Sequence, residues 1–198
     1  MKKNVIIWSI CLLAIGIQSV FAQKIKRTDG DASELSSVKR MNTVFVYEDV
    51  TVGKFTEKDY LDKKTDEFNK KEAGRGDKWR ESWESDKIKR FPPNFNELFE
   101  KNSSITVGDF PKEKYTMTIR TTRIEPGFNV GVWRKNAEID ADVIITETAT
   151  KRVVVAYNML RAPGRSFGGF DYDTGFRIEE AFAKAGKEMG QYIAKELK

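Results

Sequence analysis

Lys114–Ile124 reads KYTMTIRTTRI and Ala137–Thr148 reads AEIDADVIITET, and these two stretches decide the fold class. In the first, Tyr115, Met117 and Ile119 alternate with Thr116, Thr118 and Arg120. In the second, Ile139, Ala141, Val143 and Ile145 fall on one face. A period of two is that of a strand with one buried side. Glu125-Pro126-Gly127 closes the first strand as a turn, since Pro presets φ and Gly accepts a positive φ. Thr148–Lys151 turns the chain into RVVVAYNML, Arg152–Leu160, which is rich in β-branched residues. Three such strands joined by short connections predict an antiparallel meander.

Upstream, Thr43–Val50 (TVFVYEDV) predicts a first, buried strand. Thr56 is placed to cap a helix that runs through Glu57 and Asp59 to Ala73, where Gly74-Arg75-Gly76 stops it. Asp77 can cap a second helix, with Trp79 and Trp83 at i, i+4 and Pro92-Pro93 at its end; a short helical turn with Phe95, Leu98 and Phe99 follows. Downstream, Arg161–Phe170 contains Pro163, Gly164, Gly168 and Gly169 and reads as a loop. The last helix starts near Asp173 or Thr174, with Ile178, Ala181, Phe182, Ala185, Met189, Tyr192, Ile193 and Leu197 at helical spacing. Ala183, Gly186, Gly190 and Ala194 line a small-residue stripe beside that face. Two glycines within a helix cost about 1 kcal/mol each relative to Ala, so close approach to the sheet is the expected compensation. The order strand, helices, three strands, helix predicts an α/β (α+β) two-layer sandwich. Its mixed four-stranded sheet has a helical crossover, and the C-terminal amphipathic helix packs on the sheet.

The N-terminal segment has the three parts of a Sec signal: Lys2 and Lys3, an apolar stretch from Val5 to Ile17, and Val20-Phe21-Ala22 before Gln23. The apolar run is shorter than the roughly 20 residues that span a bilayer. The expected organisation is a signal peptide over 1–22 cleaved between Ala22 and Gln23, a flexible polar leader over 23–42, and one α/β domain over 43–198. No transmembrane segment is expected after cleavage. Cys11 sits inside the apolar run rather than after it, which argues against a lipoprotein. Removing 22 of 198 residues leaves 176, enough for one domain with a substantial core.

The chain holds one Cys and no His. Cleavage at Ala22 would remove the Cys, and with it disulfides, thiolate chemistry and Cys-ligated metals; the missing His excludes Ser-His-Asp catalysis and His-ligated zinc. Losing Lys2 and Lys3 lowers the formal charge from +5 to +3, too mild a balance to suggest nucleic acid. No catalytic, cofactor or metal site is expected.

Two constellations stand as candidate sites. Trp79, Trp83, Phe91, Phe95 and Phe99 form the densest aromatic cluster, able to line a groove for a ligand or partner and equally able to pack a core. Arg161, Gly164, Arg165, Gly168 and Gly169 precede a helix start and could hold an anion through guanidinium and backbone N–H groups. Asp171–Gly175 has closely spaced carboxylates but Phe176 and Phe182 where a calcium loop needs Gly and Glu, so capping by Asp173 explains it better. Gly74–Asp77 contains Arg-Gly-Asp, which reads as a break between helices. Asp140 and Asp142 read as exposed polar alternation.

TVFVYEDV, the meander ending ADVIITETATKRVVVAYN and the final helix RIEEAFAKAGKEMGQYIAKELK resemble bacterial envelope proteins. The architecture is similar to that of the curli-secretion lipoprotein and the penicillin-binding-protein activator lipoproteins. The resemblance covers most of Thr43–Lys198 as a pattern of elements rather than a motif, and it carries no catalytic residue. It implies a non-enzymatic periplasmic accessory or assembly module; with the export signal and the lack of a catalytic set, the expectation is a periplasmic or secreted binding or assembly module that engages another envelope component. The alternative expectation is a periplasmic carrier of a small amphipathic ligand held by Trp79 and Trp83.

Overall fold

The computed structural model describes residues 24–130, 133–164 and 173–198; the expected signal segment and its Ala22/Gln23 junction lie outside them. In chain order the elements begin with β1 (Lys24–Gly30), a 3-10 turn (Ala32–Leu35), β2 (Arg40–Val46), β3 (Thr51–Val52) and β4 (Phe55–Thr56). Three helices follow: α1 (Glu57–Asn69), α2 (Arg75–Lys89) and α3 (Phe91–Ser103). Then come β5 (Thr106–Gly108), β6 (Tyr115–Glu125), β7 (Phe128–Val130), β8 (Trp133–Lys135), β9 (Ala137–Glu147), β10 (Val153–Gly164) and α4 (Thr174–Glu196).

The main sheet is mixed and eight-stranded, in the order β1-β10-β9-β6-β2-β5 with β3 on β6 and β4 on β3. The expected count of four is therefore corrected. The three strands predicted from alternation form the antiparallel centre, β6-β9-β10, and Met117, Ile119, Ile139, Ala141, Val143 and Ile145 are fully buried. β2 is parallel to β6, and α1–α3 make the crossover between them, as a parallel connection requires. The additional strands are two or three residues long, too short to show a period, except β1.

β1 corrects the flexible leader. Lys24–Gly30 pairs antiparallel with β10, and Asp31 then caps the 3-10 turn by accepting from the Ser33 N–H at 2.6 Å. Ala32, Leu35 and Met41 are buried. The segment looked like a leader because KIKRTDG has a single apolar residue, Ile25. An edge strand needs no more, since its outer side faces water.

Helix boundaries shift for local reasons. Thr56 caps α1 as expected, its hydroxyl accepting from the Asp59 N–H at 3.1 Å. α2 starts earlier than predicted, from Gly74 at φ 79°, so Asp77 lies inside its first turn rather than capping it. Pro92 and Pro93 open α3, where their missing N–H groups cost nothing, and α3 is a full 13-residue helix. α4 begins where predicted: Asp173 accepts from the N–H groups of Gly175 and Phe176.

Helices α3 and α4 cover one face of the sheet. Phe45 of β2 meets Phe95 edge-on at 5.5 Å, and Phe91 stacks on Phe182 at 4.8 Å. The glycine stripe faces α3 rather than the sheet. A Cβ on Gly186 would lie 2.1 Å from the Phe95 carbonyl oxygen, and one on Gly190 would lie 2.7 Å from that of Phe99. The opposite face carries Val44, Thr118, Ile144 and Ala156 in register across β2, β6, β9 and β10, with Val44 40% exposed. Arg120, Asp142 and Asn158 form a charged row beside it, joined by bonds of 3.1 and 3.0 Å. Among the described residues, no helix is long and apolar enough to cross a membrane.

Candidate functional site

The five aromatics singled out in the sequence fall into two packing groups. Trp79 and Trp83 join α2 to α1, with ring centroids 5.8 Å apart and Tyr60 and Phe68 beside them. The Trp83 indole N–H donates to Glu57 Oε1 at 2.7 Å, the same oxygen that Lys87 reaches at 3.0 Å, so its polar atom is satisfied within the protein. Phe91, Phe95 and Phe99 are fully buried between α3, α4 and the sheet. The phenylalanines and Trp83 are core and Trp79 packs half-buried against it, and the depression beside Trp79 is lined mostly by polar residues, including Lys78, Glu81, Arg90 and Asp173.

The proposed anion loop is not assembled as read. Arg165, Gly168 and Gly169 lie outside the described residues. Arg161 and Gly164 belong to β10, which extends past the predicted Leu160. The Arg161 N–H, at φ 56°, donates to Asp140 Oδ1 at 2.7 Å. Gly164 is a packing glycine: a Cβ there would lie 2.1 Å from the Arg177 carbonyl oxygen of α4. Asp140 and Asp142 are held apart in separate contacts, Asp140 by Arg123 at 2.7 Å and Asp142 by Arg120.

At the start of α4, Arg90 serves three carboxylates, Asp86 at 3.3 Å, Glu179 at 3.4 Å and Asp173 at 3.5 Å. Burial pushes Asp86 and Glu179 above their ordinary carboxylate range, and the neighbouring negative charges push the same way against Arg90. A raised folded-state pKa means that ionisation opposes folding. The cost is absent below the unfolded value of 3.8 for Asp86 and grows as pH rises through the folded value. Asp86→Asn is accordingly expected to raise the thermal midpoint at pH 7, with the advantage shrinking as pH falls through the raised folded value and gone below the unfolded value of 3.8; a midpoint lowered at pH 7 would show that the Arg90 contact outweighs the burial cost.

The β7–β8 ribbon stands apart from the main sheet. It forms a two-stranded sheet of its own between β6 and β9, pairing Phe128 with Lys135, Asn129 with Arg134 and Val130 with Trp133. Residues opposite one another, or two apart, share a face, so Phe128 and Trp133 lie on the same side. They are 44% and 71% exposed, whereas a Trp normally contributes 150–250 Å² to a core or an interface. The mount is firm. Ile124 and Ala137, which flank it, are fully buried. Gly127 turns at φ 63°, where a Cβ would lie 2.4 Å from the Lys135 carbonyl oxygen. Glu125 accepts from the Gly127 N–H at 3.2 Å and from Lys135 at 2.7 Å, and the buried Arg177 of α4 donates to the Pro126 carbonyl at 3.1 Å.

No family model matches the chain, and no curated protein matches it. Solved structures with a distant likeness include two of one protein. The PelC dodecamer from Paraburkholderia phytofirmans is 11% identical with a TM-score of 0.41, over 89% of this chain and 97% of that one. A point variant of the same dodecamer is 11% identical with a TM-score of 0.37, over 82% and 96%. At these scores the likeness assigns neither family nor function.

The ribbon presents two aromatic rings with Arg134 and Lys135 exposed beside them. Among the described residues, no group of three His, Cys, Asp or Glu side chains could hold a metal ion. Sequence reading missed the ribbon because each strand has three residues. The available signal was the alternation of Phe128, Val130 and Val132 around Gly131, with a Trp placed directly before Arg134-Lys135.

Proposed function

We propose that the chain is an exported, non-enzymatic binding or assembly module of the bacterial envelope, working in the periplasm or outside the cell. It engages a partner protein through the aromatic face of the β7–β8 ribbon. One observation carries the reading: Trp133 stands 71% exposed beside Phe128 on a ribbon whose base is tied to α4 and Glu125. A rigid aromatic loses little conformational entropy on docking, which is why Trp and Tyr dominate interface hot spots. The export reading rests on the Lys2-to-Ala22 segment. The aromatics that motivated a carrier, Trp79 and Trp83, are engaged with Tyr60, Phe68 and Glu57, so the ribbon has the stronger claim.

Crosslinking in the envelope fraction followed by pull-down tests this reading. The wild-type chain is expected to recover an envelope protein, and Trp133→Ala to weaken that capture by roughly thirtyfold, the equivalent of a 2 kcal/mol hot spot. The unfolding midpoint of the variant should stay within a degree or two, because so exposed a ring contributes little to the core. Unchanged capture by the variant, or recovery of monomer alone, counts against the proposal.

A further inference from the structure

β1 is an edge strand: it pairs with β10 on one side and, among the described residues, with nothing on the other. In an antiparallel pair only alternate residues bond to the partner strand, and those between them direct N–H and C=O outward. A groove runs beside this edge, lined by Ile25 of β1 and by Glu188, Gln191, Tyr192 and Lys195 of α4. Its walls are held in place. Tyr192 meets Tyr157 edge-on at 5.6 Å, the Tyr157 hydroxyl donates to Glu196 at 2.7 Å, and Arg27 reaches the same carboxylate at 3.6 Å.

We propose that the outer edge of β1 takes up an extended peptide segment of a partner protein by strand addition, with an apolar side chain seated between Ile25 and Tyr192 and acidic side chains on the opposite face. The register supplies the alternation. Ile25 pairs with the buried Met159 and faces the helices, whereas Lys24 and Lys26 pair with Leu160 and Asn158 and point to the other side. Side chains of an added strand alternate in the same way, so one set meets the groove and the next meets the two lysines.

Charge selects the acidic partner. Lys24, Lys26 and Lys195 form no ion pair among the described residues, while Arg27 is occupied by Glu196 and Asp31, and Glu188 by Lys184. Lysines on an edge strand discourage pairing with apolar or like-charged strands, and an acidic strand is the one such an edge still admits. The register shift between Arg27 and Asp29 breaks the alternation before pairing resumes at Asp29 and Gly30, so the added segment is expected to span about four residues along Lys24–Arg27. This edge is separate from the ribbon, and the inference stands without it.

The probe is a phage-displayed library of random nine-residue peptides, panned on the wild-type chain and on the double variant Lys24→Glu, Lys26→Glu. The expected wild-type selection alternates acidic and apolar residues. A synthetic peptide of that sequence should bind at least tenfold more weakly after N-methylation of alternate amides, and at least tenfold more weakly to the charge-reversed variant. Hydrogen exchange should slow at β1 on binding. The double variant, both of whose changes are at exposed positions, should keep the wild-type unfolding midpoint and select basic residues instead. Absence of an enriched sequence, enrichment without the alternation, equal binding of the N-methylated peptide, or slowed exchange confined to other strands would each overturn the inference.

Discussion

Gly186→Val is expected to destabilise the protein by more than about 3 kcal/mol, against a total stability of about 5–15 kcal/mol for a domain of this size. Two effects compete. Replacing a mid-helix glycine removes its entropic cost and returns somewhat less than 1 kcal/mol, as Val is itself a modest helix former. Against that, even the first carbon of the new side chain would lie 2.1 Å from the Phe95 carbonyl oxygen and 3.0 Å from the Phe95 Cα. These are backbone atoms of α3, and Phe95 and Phe99 hold that helix in the core. The clash can be relieved only by separating α3 from α4, which unpacks the aromatic layer beneath. Urea unfolding followed by circular dichroism measures the loss. A variant as stable as the wild type would mean that the helices are not in this contact.

Phe182→Ala is expected to cost about 3–5 kcal/mol, the range for removing a buried aromatic ring. Phe182 is fully buried and joins three elements at once: its ring stacks on Phe91 of α3 at 4.8 Å, meets Phe45 of β2 at 6.5 Å, and lies 6.2 Å from Tyr47, just past β2. Truncation leaves a cavity and removes the stacked pair, which contributes about 0.5–1.5 kcal/mol beyond its buried area. Phe182→Leu, which refills most of the volume, should lose less than half as much. Because residues 182 and 186 lie one turn apart on α4, the Gly186 and Phe182 changes should combine to less than their sum. A loss below 1 kcal/mol for Phe182→Ala would mean that the ring is not a core element.

The centre of this fold was legible because burial on one side imposes a period. Met117, Ile119, Ile139 and Val143 repeat every second residue, and Ile178, Phe182 and Met189 follow helical spacing, so β6, β9, β10 and α4 could be placed without coordinates. What failed lacks that constraint. β1 has one inward apolar residue and reads as a charged tail; its strand character comes from pairing with β10, which no local pattern reveals. Pro92-Pro93 marks a helix boundary in either direction, and only the 13 residues after Arg90 show that it opens α3. The glycine stripe correctly signalled close approach, but a periodic face does not say which partner it meets, and here that partner is α3.

The candidate site was least legible. Aromatic density drew attention to Trp79 and Phe91–Phe99, yet dense aromatics at helical spacing are what a core needs: Trp83, Phe91, Phe95 and Phe99 are buried, and Trp79 packs half-buried against them. Trp133 was isolated in the sequence and became conspicuous only through its exposure, a property set by the whole fold. Phe128, its neighbour in space, is five residues away and joined to it by a hairpin. Exposure of a large ring is informative where burial of one is not.

Site-specific photocrosslinking tests the central claim most directly. A photoreactive phenylalanine analogue is placed at Trp133 in the producing cells, and at Ile88, which is 75% exposed on α2, as a control. The ribbon reading predicts a discrete crosslinked product with an envelope protein from position 133 and none from position 88. No product from 133, or the same product from both positions, would contradict it.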